Sequence, residues 1–163
     1  MLVIGRDLSY QWRMDLLTVL AAEDEIIEEA AIAVERSHLR HYEVIDAGER
    51  RARLRRLLDL VATCVRSRDL VSMVEYAQQV AAERFHAGYD ISEVQCAFNV
   101  LEETVWLRLV SNVPSEGMAQ AAGLLTTVLG AGKDALARTY VSLSSKQHVP
   151  TLDLSALFQG GHV

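Results

Sequence analysis

Two Glu-x-x-His sequences, Glu35-Arg-Ser-His38 and Glu83-Arg-Phe-His86, are the residues of this chain best suited to chemistry. A pair of such motifs on two helices, with single glutamates from two others, builds the di-iron centre of ferritin-like bundles. Ligation requires both motifs to face inward, so helical phase decides. At about 100° per residue His38 falls on the apolar stripe of its helix, within roughly 20° of Ile27. Glu83 and His86 lie on the far side of theirs and point to solvent. A lone haem-ligating histidine would be the next option. His38 on an apolar stripe reads more simply as a core histidine. No Gly-x-Ser-x-Gly, phosphate-binding loop or dinucleotide fingerprint is present. The expectation is therefore no catalytic residue, no metal and no cofactor.

The elements that would position any site are helical throughout. Leu16, Leu20, Ile27, Ala31 and Val34 form one stripe between Tyr10 and about Val34, flanked by Glu23, Asp24, Glu25, Glu28 and Glu29. Asp46 and Glu49 have the spacing of a capping box and open a second helix through about Arg66. Its first two turns hold Arg50, Arg51, Arg53, Arg55 and Arg56, where cations oppose the macrodipole. They read as partners for the acidic first helix, or as a docking patch for an acidic protein. Ser67-Arg-Asp69 opens a third helix ending near Phe85. A fourth spans Ile91 to about Val110, and Trp106 and Leu107 widen its apolar arc beyond one face. After Pro114, Ser115 is a predicted N-cap. A fifth helical region then runs to about Ser145, interrupted by Gly123, Gly130 and Gly132.

The most specific local signal is the junction Glu83-Arg-Phe-His-Ala-Gly-Tyr-Asp-Ile-Ser-Glu-Val94. Gly88 suits the left-handed residue that ends a helix, and Asp90 with Glu93 forms the next capping box. The sum is an all-α bundle of five or six helices over residues 1–149. Residues 150–163 are expected to be a short docking segment with a flexible tail, its apolar residues including Leu154, Leu157 and Phe158.

With 163 residues and a net charge of −6, the chain is one domain and a poor candidate for nucleic acid or anionic membrane. Cys64 and Cys96 sit singly in apolar runs and read as small core residues. The first residues are too quickly charged for a signal peptide, and no apolar run has the ~20 residues of a membrane span. A soluble cytoplasmic protein is expected.

The stretch Ala-Gln-Gln-Val-Ala-Ala-Glu-Arg-Phe-His-Ala-Gly-Tyr-Asp-Ile-Ser-Glu-Val-Gln-Cys-Ala-Phe resembles the central helix pair of the N-terminal sensory domain of RsbT co-antagonist proteins. The arginine-rich helix through Arg66, then Asp69, and Ala137-Arg-Thr-Tyr140 are also similar, so the likeness runs from Tyr10 to Ser145. Related modules precede bacterial histidine kinases. The resemblance implies a helical, often dimeric sensor or interaction domain, globin-related in some relatives and usually without haem, with no catalytic residues. No output domain follows Ser145 in this sequence. The reading is a non-enzymatic bacterial regulatory module acting by protein–protein contact, with itself and with a regulatory protein. Trp106, Leu107, Leu154, Leu157 and Phe158 are its candidate interaction residues, and Gly88, Asp90 and Glu93 its structural corner. The alternative is a globin-like haem or small-ligand binder.

Overall fold

A computed structural model describes residues 8–147, in which helix is the only regular secondary structure. Seven helices follow in order: α1 (Leu8–Leu20), α2 (Glu23–Arg36), α3 (Arg40–Glu43), α4 (Ala47–Ser67), α5 (Val71–His86), α6 (Ile91–Asn112) and α7 (Ser115–Gln147). The all-α expectation holds, but the count of five or six does not.

Both extra helices come from the first third of the chain. The stripe read as one helix from Tyr10 to Val34 breaks at Ala21–Ala22, where neither Gly, Pro nor a side-chain cap marks the sequence. Tertiary packing imposes the break, because α1 packs chiefly on α7 whereas α2 packs on α6 and α4. Glu23, Asp24 and Glu25 then form the first turn of α2, where negative charge complements the macrodipole. The second extra helix, α3, is a single turn that buries Tyr42.

Later boundaries follow local chemistry. Asp46 caps α4 by accepting from the N–H groups of Gly48 (2.9 Å) and Glu49 (3.4 Å). The reciprocal half of that predicted box is missing, since Glu49 pairs instead with Arg53 at 2.8 Å. Asp69 accepts from the Val71 N–H at 2.9 Å to start α5. Helix α7 starts at Ser115 itself, one residue earlier than a Ser115 cap would require.

The core lies where α7 crosses α5, α6 and α1. Phe98, Met73, Leu101, Leu125, Leu129 and Leu136 are fully buried there. Helices α5 and α7 make the most extensive contact in the fold, and Gly132 permits it. A Cβ at that position would stand 2.7 Å from Phe98 Cε1 and 2.9 Å from Met73 Sδ. Despite its four glycines, α7 runs unbroken. No described helix is long and apolar enough to cross a membrane.

Candidate interaction face and its supporting corner

The corner between α5 and α6 is built as the sequence predicts. Gly88 has φ +80°. The Tyr89 N–H donates to the Arg84 carbonyl (3.0 Å) and the Gly88 N–H to that of Phe85 (3.1 Å), the paired bonds of a Schellman motif. The contact that usually accompanies it is here a cation over a ring, with the Arg84 guanidinium 5.4 Å from the Tyr89 centroid. Asp90 and Glu93 complete a reciprocal capping box, and Glu93 Oε2 accepts from the Asp90 N–H at 3.0 Å.

Glu93 also does something that local sequence does not announce. The residue is only 7 % exposed, and its carboxylate reaches α3, accepting the His41 N–H at 3.2 Å and meeting His41 Nδ1 at 2.6 Å. Burial pushes the Glu93 carboxyl up, but the backbone N–H groups of Asp90 and His41 and the His41 ring outweigh it. The result lies below the usual carboxylate range. The His41 ring stacks on Tyr89, with centroids 4.2 Å apart. The Tyr140 hydroxyl donates to the Tyr89 carbonyl at 3.3 Å, so α7 joins the same knot. Burial pushes the Tyr140 phenol up to about 12. A residue on α3 and the corner are thus tied to one carboxylate, and α7 joins them through Tyr89.

The two Glu-x-x-His motifs are not brought together. His38 leaves the helix with φ +49°, is 81 % exposed and pairs with Glu43 at 3.5 Å. Its predicted place on the apolar stripe fails because α2 stops at Arg36, two residues before the phase argument needs it. His86 is exposed, as its phase predicts, and stands edge-on to Phe85. No cluster of three or more potential metal ligands occurs among the described residues.

The arginine run of α4 is used within the chain. Arg51 holds Glu28 through two bonds of 2.9 and 3.0 Å, and Arg55 reaches Glu23 (3.0 Å) and Asp24 (2.9 Å). Arg108, which the sequence did not single out, clamps the other flank of α2 through Glu25 (3.0 Å) and Glu29 (2.7 Å). Cys64 is buried and Cys96 half-buried, both free thiols.

With α2 held on both flanks, the outer surface of α6 is left open. Leu101, Val105 and Leu109 face the core, whereas Trp106 is 45 %, Leu107 54 % and Val110 46 % exposed. The predicted second apolar face of this helix therefore exists and is uncovered. Leu154, Leu157 and Phe158 lie outside the described residues. Sequence reasoning missed His41 as the partner of Glu93 because a contact across fifty-two positions leaves no local spacing to read.

No curated protein and no solved structure matches the chain significantly. The family model of the RsbT co-antagonist protein rsbRD N-terminal domain matches residues 20–147, from the end of α1 to the last residue of α7. That span covers most of the chain and includes the whole corner, and the chain therefore belongs to the rsbRD N-terminal domain family.

Proposed function

We propose that this chain is a non-enzymatic regulatory module of bacterial stress-response signalling, working in the cytoplasm by protein–protein contact. Its first partner is a second copy of itself, and the pair docks on a regulatory protein. Family membership supports the signalling role. The observation that carries the contact is the uncovered stripe of Trp106, Leu107 and Val110 beside an otherwise closed core. Large apolar residues clustered on one surface commonly mark an interaction site, and tryptophan is enriched at interface hot spots. A two-fold axis along α6 would place each stripe against its own copy in a self-complementary seam.

Light scattering of the purified chain tests this reading. The expected species is a dimer, and Trp106→Glu should convert it to monomer with unchanged helical circular dichroism, since this side chain is not core. A wild-type chain that is monomeric at tens of micromolar, taken as a practical upper range for specific association, would remove the self-association from the proposal. A Trp106→Glu dimer would move the seam elsewhere.

A further inference from the structure

A second feature lies away from α6. Between α1, the C-terminal end of α4 and the first half of α7 is a pocket of about 580 Å³, within the size range of small-molecule sites. Trp12, Leu70, Leu124 and Val128 give it apolar walls. Arg13 and Arg68 also line it, and no aspartate or glutamate does.

Neither of these two cations is neutralised by a carboxylate of the pocket. Arg51, Arg55 and Arg108 each hold a carboxylate of α2. Arg13 and Arg68 have no carboxylate partner among the described residues; Arg13 only overlies the Tyr10 ring at 5.5 Å. Arg68 moreover occupies the left-handed residue at the end of α4, with φ +58°. Glycine takes that conformation most readily, yet the chain places a guanidinium there, on the rim of an apolar cavity. A neutral apolar ligand would leave two cations unused, and a bare anion would leave the walls unused. Guanidinium groups match the two oxygens of a carboxylate in a fork.

We infer that this pocket binds an amphipathic monocarboxylate of the fatty-acid type, its apolar body against Trp12 and Leu124 and its carboxylate on Arg13 and Arg68. The inference is independent of the α6 contact, because no residue of α6 lines the pocket.

The test uses the full chain and dodecanoate below its micellar concentration, followed by calorimetry. Dodecanol serves as the uncharged isostere and acetate as the bare head group. A Trp106→Phe background leaves Trp12 as the sole tryptophan and reports the location by fluorescence. Dodecanoate should saturate one site about tenfold or more tighter than dodecanol, the order expected when a charge-assisted hydrogen bond is lost. Acetate should not compete, and Trp12 emission should change. Arg68→Gly should bring dodecanoate down to the dodecanol level while raising the melting temperature, because glycine relieves the backbone. Arg13→Gln should weaken it similarly. Equal affinity for dodecanoate and dodecanol, no saturable binding, or full affinity in Arg68→Gly would each overturn the proposal. Binding that appears only after residues 1–7 are deleted would overturn it too, assigning the pocket to the chain's own N-terminal segment.

Discussion

Glu93 and His41 stand fifty-two positions apart in sequence, yet the carboxylate of one meets the ring nitrogen of the other at 2.6 Å. The same carboxylate caps α6, so a single side chain fixes both the start of that helix and the position of α3. Any change at Glu93 therefore acts on two junctions together.

Glu93→Gln should cost about 1–3 kcal/mol at neutral pH, the range for leaving buried hydrogen-bonding groups poorly matched. It should also flatten the acid limb of the stability curve. The folded pKa of Glu93 is depressed, so its contribution is complete above the unfolded value of about 4.3 and lost as pH falls through the lower folded value. Urea melts of both proteins at neutral pH and at about pH 3 check this. The stability gap between them should narrow in acid.

At Gly88 a Cβ would meet no atom within 4 Å, so the cost of substitution is purely conformational. Gly88→Val should lose over ~1 kcal/mol, because a β-branched residue resists positive φ, whereas Gly88→Asn should lose much less. Equal losses in denaturant melts would mean that contacts, not φ, govern the position. Asp90→Ala should also lower the midpoint by removing the acceptor of the Ser92 N–H.

The glycines of α7 should separate sharply. Gly132→Ala drives a methyl into Phe98 and Met73 and should cost about 1–3 kcal/mol through overpacking. Gly130→Ala enters open space and should gain up to about 1 kcal/mol of helix propensity. Thermal melts of the two variants should move in opposite directions.

Arg55→Ala should leave the melting midpoint almost unchanged even though Arg55 touches both Glu23 and Asp24. Both pairs are solvent-exposed, where Coulomb gain and side-chain ordering nearly cancel. A loss that persists at 1 M salt, where screening is short-ranged, would contradict this account.

What could be read in the sequence was whatever is encoded within a few residues. The Gly88–Asp90–Glu93 corner is a local device, and both its left-handed glycine and its capping box are where the spacing puts them. The end of α4 near Arg66 and the uncovered arc at Trp106 and Leu107 follow from helical periodicity alone. The break at Ala22 did not show, because alanine favours helix and only the divergent packing of α1 and α2 ends it there. His38 was misplaced for the same reason, since phase carries no meaning past a helix end. Arg108 passed unnoticed because its partners sit on α2, some eighty positions away. The convergence of Arg13 and Arg68 on one pocket did not show either, because only the fold brings two such distant positions together.

The closeness of α5 and α7 at Gly132 has a mechanical side. At 1.5 Å per residue, α7 is a beam about 50 Å long. It begins with Gly117 against Trp12 and Asp15 and reaches the α5–α6 corner through Tyr140. Gly132 lies near its midpoint, and no side chain there cushions the beam from Phe98 and Met73. The contact thus fixes the spacing of the two helices, because α7 cannot come closer to α5 there without displacing Phe98 or Met73.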